Sequence, residues 1–99
     1  MIDLQERIKK QILELVSVRP EVRKVLVFGS RARGDADERS DIDLAVEAPN
    51  ATQRQWLDLS FELKELDTLL RVDVVRLEEA TSTLKARILA EGEILYEQG

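Results

Sequence analysis

Two short stretches constrain the fold of this chain more than any other feature. One is an apolar run that ends at polar residues, and the other alternates between polar and apolar residues. Val25–Phe28 is an unbroken apolar run that stops at Gly29-Ser30, and residues 41–46, Asp-Ile-Asp-Leu-Ala-Val, alternate in polarity over most of their length. Alternation predicts a strand with its large aliphatic side chains on one face, because side chains two apart point the same way. Asp41 and Asp43 then share the other face, where neighbouring carboxylates repel each other. A divalent cation would relieve that repulsion.

A third carboxylate falls inside another predicted strand. Asp73 interrupts the apolar run between Arg71 and Arg76, and an unpartnered carboxylate is costly to bury there. One explanation is an ion pair with one of the flanking arginines. The other is that Asp73 joins Asp41 and Asp43 to complete an oxygen-rich metal site. The chain has no His and no Cys, so carboxylate ligands favour Mg²⁺ or Mn²⁺ over zinc.

The remaining periodicities predict helices and strands that alternate along the chain, which indicates an α/β (α+β) fold. Helices are expected over residues ~3–18, ~53–70 and ~81–91, where apolar residues recur every three or four positions. Strands are expected over ~23–28, ~41–47 and ~71–76, with a short edge strand over 94–96. In the longest predicted helix, Leu57, Phe61 and Leu69 widen the apolar stripe. The stripe is expected to be mainly core, and its breadth leaves open that part of it meets a partner.

Capping residues predict where these helices begin. Asp3 is a candidate N-cap of the first helix, and Thr52 with Gln55 forms a candidate capping box for the longest one. Ser30 is a candidate N-cap for a short helix that starts near Arg31. A helix start after a glycine turn presents free N–H groups to an anion, so Gly29 and Ser30 are candidate phosphate-binding residues.

Length and composition bound the class of protein. The 99 residues are expected to form one domain spanning 1–99, with 43% apolar and 35% charged residues. No run approaches the ~20 apolar residues that span a membrane, and the N-terminus does not resemble a signal peptide. Without cysteine there is no disulfide and no thiolate metal site. A cytoplasmic protein is expected, with no membrane partner.

Charge is distributed unevenly along the chain. Residues 1–40 carry nine basic and seven acidic residues, whereas residues 41–99 carry six and thirteen. The acidic second half argues against direct binding of nucleic acid, which needs a basic face. The basic excess lies near the Gly-Ser turn, so Arg31 and Arg33 are candidate contacts for a nucleotide triphosphate. They could equally pair with acids of a partner protein or face water.

Three kinds of chemistry are compatible with the Gly-Ser turn and the paired aspartates. The first is phosphoryl or nucleotidyl transfer with two metal ions, in which Asp41, Asp43 and Asp73 hold the metals and Gly29-Ser30 binds the triphosphate. An aspartyl-nucleophile phosphatase is disfavoured, because no threonine follows the motif. A nucleotide- or partner-binding module without catalysis is the third possibility, although no Walker-type lysine follows Gly34.

Residues 28–34, Phe-Gly-Ser-Arg-Ala-Arg-Gly, followed by residues 40–46, Ser-Asp-Ile-Asp-Leu-Ala-Val, resemble the signature of the minimal nucleotidyltransferases of the DNA polymerase beta superfamily. The resemblance covers essentially the whole chain. It implies a small mixed sheet flanked by helices, and transfer of a nucleoside monophosphate from a triphosphate. By position, Gly29 and Ser30 match the phosphate-binding pair. Asp41 and Asp43 match the paired metal ligands, and Asp73 matches the third acid.

The resemblance also implies a partner. Minimal nucleotidyltransferases are typically paired with a HEPN protein, often an RNA-cleaving toxin, and some transfer AMP from ATP to a tyrosine of that toxin. The function expected is therefore a Mg²⁺-dependent protein adenylyltransferase, the antitoxin of a toxin–antitoxin pair. Two alternatives stay open: transfer to a small molecule such as an aminoglycoside, and an antitoxin that neutralises by binding alone.

Overall fold

Helices and strands alternate along the chain, in a computed structural model that describes residues 2–99. Met1, the first residue of the expected domain, lies outside this range. The strands are β1 (Lys24–Phe28), β2 (Ile42–Glu47), β3 (Val72–Arg76) and β4 (Glu93–Glu97). The helices are α1 (Glu6–Ser17), α2 (Ser30–Arg33), α3 (Gln53–Lys64) and α4 (Ser82–Glu91), and a 3₁₀ turn spans Leu77–Glu79.

The strands form one four-stranded mixed sheet in the order β3-β2-β1-β4. Strands β1 and β2 are antiparallel, as are β1 and β4, whereas β2 and β3 are parallel. Parallel neighbours need a long crossover, and α3 supplies it. The prediction of a small mixed sheet flanked by helices is confirmed, and the predicted edge strand is β4.

Apolar side chains pack on both faces of the sheet, but the two cores differ in size. The larger core joins α1 and α3 to the sheet, and its buried members include Ile8, Ile12, Val16, Leu59, Leu63, Val25, Val27, Ile42, Leu44 and Val46. The smaller core lies on the opposite face and contains Leu26, Phe28, Ala45, Leu77 and Ile88. Each fully buried aliphatic side chain contributes about 1.5–3 kcal/mol. Strand β1 supplies both cores, so it is buried on both faces.

The first helix begins later than its sequence predicts. Gln5 is the N-cap of α1, and no side chain caps the helix there. The predicted N-cap at Asp3 is wrong, because an N-cap carbonyl accepts the first hydrogen bond of its helix, whereas the Asp3 carbonyl accepts from Arg31 Nη1 at 3.0 Å. The capping box at the start of α3 is confirmed: Thr52 Oγ1 accepts from Gln55 N, and Gln55 Oε1 accepts from Thr52 N.

Helix α3 ends at Lys64, six residues before its predicted end. The segment after it is held to α1 by side chains, since Gln11 Oε1 accepts from Asp67 N at 3.1 Å and Arg7 pairs with Asp67 at 2.9 Å. Leu66 is buried although it lies beyond the helix. Its spacing from the other apolar residues therefore indicated burial correctly and helix incorrectly. Three residues assigned to the core stripe are instead exposed: Leu57, Phe61 and Leu69.

Among residues 2–99, no helix combines the length and the apolar character needed to cross a membrane.

Candidate active site

The turn between β1 and α2 lies directly against Asp43. Gly29 has φ 73° and ψ −152°, a conformation essentially restricted to glycine. A Cβ at this position would collide with Oδ2 of Asp43. Gly29 is also the N-cap of α2, and its carbonyl accepts from Arg33 N at 3.0 Å, so Ser30 is the first helical residue and not the predicted cap. The glycine therefore allows a carboxylate to lie against the backbone of the turn.

Asp43 on β2 and Asp73 on β3 are direct neighbours on adjacent strands. They are directly paired in the parallel β2–β3 register, so their side chains project from the same face of the sheet. Asp41 lies two residues before Asp43, immediately ahead of β2. Burial raises the pKa of Asp43, and the charges of Asp73 and Asp41 raise it further. Both neighbouring acids therefore act electrostatically on Asp43, as the sequence predicts.

Asp73 also has a basic partner. Its Oδ1 accepts from Arg71 Nε at 3.0 Å. The Arg71 side chain is 73% exposed, and exposed ion pairs of this kind contribute little, about 0–1 kcal/mol. The other arginine considered as a partner, Arg76, instead pairs with Glu78 and Glu79. The ion pair and the neighbouring acids thus coexist at Asp73.

The three aspartates have the right chemistry for a metal site but are not gathered into one. Within the described residues 2–99, no group of three or more His, Cys, Asp or Glu side chains is arranged to hold a metal ion. Mutual repulsion favours separation of the carboxylates, and Asp73 is bound to Arg71. The donors are nevertheless all hard carboxylate oxygens, which suits Mg²⁺ or Mn²⁺. Burial is the main cause of the raised pKa of Asp43, and the charges of Asp73 and Asp41 add to it; a cation bound beside these carboxylates would lower that pKa.

A second cluster beside the turn was missed by the sequence reasoning. Glu91, the last residue of α4, accepts three hydrogen bonds on one oxygen, Oε1: from Gly29 N at 3.3 Å, Arg33 Nη1 at 3.2 Å and Arg87 Nε at 3.1 Å. We call these four residues the Glu91 cluster. The positive charges of Arg87 and Arg33 partly offset the rise in the pKa of Asp43. The only sequence signal was the i,i+4 spacing of Arg87 and Glu91.

The two arginines of the Arg-Ala-Arg motif have different environments. Arg33 is partly exposed and binds Asp35 as well as Glu91. Its pKa is raised, chiefly by the hydrogen bond to Asp35, so it stays cationic. Arg31 is buried at 6% exposure. Its guanidinium donates twice to the Ser40 carbonyl, at 2.8 and 3.1 Å, and once each to the Asp3 and Asp37 carbonyls.

Arg31 therefore ties the N-terminal segment and the 37–40 loop to α2. Four of its five donors are already engaged by backbone carbonyls. That Arg31 contacts nucleotide stays a prediction, but the described contacts give it a structural role that the sequence did not suggest.

Replacing Arg31 with Lys is expected to destabilise the protein by about 1–3 kcal/mol, because a single ammonium cannot reproduce the planar fork and leaves buried carbonyls unpaired. Thermal unfolding measures this as a fall in Tm. Arg39→Lys, in the same loop, is the control and should leave Tm unchanged. Equal Tm values for both variants would show that Arg31 is not structural.

A pocket of about 830 Å³ lies away from the aspartates. It opens between the start of the chain, the 36–38 loop and the segment after α3, and its lining includes Leu4, Arg7, Arg31, Asp37, Ile42 and Leu69. Neither the Gly29 turn nor any of the three aspartates lines it. The candidate site therefore lies on the opposite face of β2 from this pocket, on the side of the smaller core.

The family model described as polymerase beta nucleotidyltransferase matches residues 10–99. A structure named for a minimal nucleotidyltransferase is 34% identical, with a TM-score of 0.66 and coverage of 86% of each chain. A crystal structure of a toxin–antitoxin complex with AMP-PNP is 26% identical, with a TM-score of 0.73 and coverage of 91% of this chain and 73% of that chain.

The fold is shared more widely. A structure of a tri-AMPylated Shewanella oneidensis HEPN toxin in complex with an MNT antitoxin superimposes with a TM-score of 0.70 at 24% identity, covering 96% of this chain and 74% of that chain. The comparison with curated proteins gives no match. With 90 of its 99 residues matched by the family model and the Gly-Ser turn set against the Asp43 strand, the chain belongs to the polymerase beta nucleotidyltransferase family.

Proposed function

We propose that this protein transfers AMP from ATP to a tyrosine hydroxyl of a HEPN toxin, and so acts as the antitoxin of a toxin–antitoxin pair. The observation that carries the proposal is the pairing of Asp43 with Asp73 in the register of β2 and β3, with the Gly29 turn packed against Asp43. The similarity to a toxin–antitoxin complex with AMP-PNP supports the nucleotide and the partner. The HEPN identity of the toxin follows the family resemblance.

Asp41, Asp43 and Asp73 would hold two Mg²⁺ ions, or Mn²⁺, and such a pair stabilises the charge on the attacking and leaving oxygens of an in-line displacement. Gly29 and Ser30 bind the β- and γ-phosphates through the start of α2. Asp73 accepts the proton of the acceptor hydroxyl, whose oxygen forms the new bond to the α-phosphorus. The α–β phosphoanhydride bond breaks, and pyrophosphate leaves with its electron pair.

Incubation with α-labelled ATP, Mg²⁺ and the toxin encoded by the adjacent gene tests the proposal. Label is expected on the toxin, and Asp41→Asn or Asp43→Asn should remove it. Asp58→Asn, an exposed position on α3, is the matched control and should label the toxin normally. In a growth assay of cells that express the toxin, Asp58→Asn should restore growth, and Asp41→Asn and Asp43→Asn should not.

Two other outcomes would overturn the proposal. Neutralisation that survives both active-site substitutions would identify an antitoxin that acts by binding alone. Label on a small alcohol such as an aminoglycoside, but never on protein, would identify a small-molecule nucleotidyltransferase.

A further inference from the structure

The Glu91 cluster brings one carboxylate oxygen to three donors from separate parts of the chain. Gly29 N lies in the turn before α2, Arg33 ends α2, and Arg87 lies one turn before Glu91 on α4. The Glu91 side chain is 22% exposed, whereas those of Arg33 and Arg87 are 39% and 55% exposed. The anion is thus more enclosed than the cations that hold it.

The same three donors make a favourable environment for a phosphate oxygen. A backbone N–H of a tight turn combined with guanidinium groups is a recurrent way to bind phosphate, because the charge-assisted hydrogen bonds are short and directional. The donors also adjoin the candidate site, since Gly29 lies against Asp43. Glu91 therefore presents an internal anion to the turn where the proposed function requires the triphosphate.

We propose that Glu91 competes with the nucleotide triphosphate for Gly29 N–H, Arg33 and Arg87, and that Arg87 binds phosphate when Glu91 is displaced. The inference rests on the proposed function only for the identity of the anion. It adds two residues of α4 to a site that the sequence motifs confine to the first half of the chain and Asp73. Release of Glu91 is then a step in nucleotide binding, and the position of α4 controls affinity.

The chain offers matched variants for a binding test. Glu91→Gln removes the competing charge and keeps the side-chain shape, and Glu14→Gln on α1 changes the net charge equally at a distant, exposed position. Arg87→Gln removes a proposed phosphate ligand, with Arg54→Gln on α3 as its charge control; the Arg54 side chain is 86% exposed. Calorimetric titration with ATP, and separately with AMP, is measured for each folded variant with and without Mg²⁺.

We expect Glu91→Gln to bind ATP about tenfold more tightly than Glu14→Gln, a typical size for a competing interaction of this kind. Arg87→Gln should bind ATP about tenfold more weakly than Arg54→Gln. AMP, which lacks the β- and γ-phosphates, should bind all four variants alike. Equal ATP affinity within both pairs would overturn the inference, and so would the absence of ATP binding in every variant.

This readout is independent of the acceptor. If the ATP affinities change as expected but no label reaches the toxin, the competition by Glu91 stands and the proposed function fails. If label reaches the toxin while both pairs bind ATP equally, the proposed function stands and the role of Glu91 is wrong. If Glu91→Gln does not fold, the Arg87 pair still decides the question.

Discussion

Asp43→Asn is expected to abolish nucleotidyl transfer while making the protein more stable. The carboxylate is a proposed metal ligand, and stabilisation by a bound metal amounts to several kcal/mol in the transition state. Loss of that contribution lowers the transfer rate by about a thousandfold. The measurement is the initial rate of labelling from α-labelled ATP, with Asp58→Asn as the control.

The gain in stability follows from the pKa of the same residue. Burial, Asp73 and Asp41 raise the pKa of Asp43 above its usual 3.8 in the folded protein. A raised acid pKa means that folding is more favourable below the unfolded-state value and loses stability as pH rises through the folded-state value. Asn carries no charge, so Asp43→Asn should add on the order of 1 kcal/mol at pH 7, or about 4–8 °C in Tm.

The pH dependence provides the check. The difference in Tm between Asp43→Asn and the wild type should shrink towards zero as pH falls below about 4, where the free carboxyl group is protonated in both states. Added Mg²⁺ should raise the Tm of the wild type and not that of the variant. A variant less stable than the wild type at pH 7 would show that the Asp43 carboxylate stabilises the fold, contrary to the electrostatics described above.

Gly29→Ala is expected to be the most damaging single-methyl substitution in this region. Its φ of 73° and ψ of −152° would place alanine in a conformation that costs about 1–3 kcal/mol. The added Cβ would also collide with Oδ2 of Asp43, so either the turn or the carboxylate must move. Stability should fall by more than the backbone cost alone, and transfer should be lost because the turn and Asp43 no longer keep their relative positions.

Gly34→Ala separates the two causes. Gly34 also has a positive φ, of 89°, but a Cβ there would have no heavy atom within 4 Å. The Gly34→Ala variant should therefore lose only the free energy of backbone strain, about 1–2 kcal/mol, and should keep most of the transfer activity. Chemical denaturation of both variants measures the difference. Equal destabilisation and equal activity would show that the contact between Gly29 and Asp43 is unimportant.

Local patterns were sufficient to predict the elements that carry the candidate site. The apolar run before Gly29 predicted β1, and the alternation around Ile42 predicted β2, because strand periodicity is a property of a few consecutive residues. The pattern alone left open whether Asp73 pairs with a flanking arginine or joins Asp43, and the structure shows both contacts. The roles of Gly29, Ser30 and the three aspartates stay predictions until they are tested by substitution.

Features set by distant contacts could not be predicted in the same way. Glu91 reaches Gly29 across 62 positions of sequence, and no local periodicity reports such a contact. The buried position of Arg31 depends on carbonyls from Asp3, Asp37 and Ser40, which only the folded loop brings together. The early end of α3 has a similar cause, since Gln11 and Arg7 from α1 hold the segment that follows it.

The unequal cores on the two faces of the sheet have an evolutionary consequence. Most of the apolar packing joins α1 and α3 to one face, whereas the aspartates and the Glu91 cluster occupy the side of the smaller core. Mutations that adapt the chemistry to a different acceptor can therefore accumulate without eroding the principal source of folding free energy. A protein whose functional residues lay within its main core would lose stability when those residues were substituted.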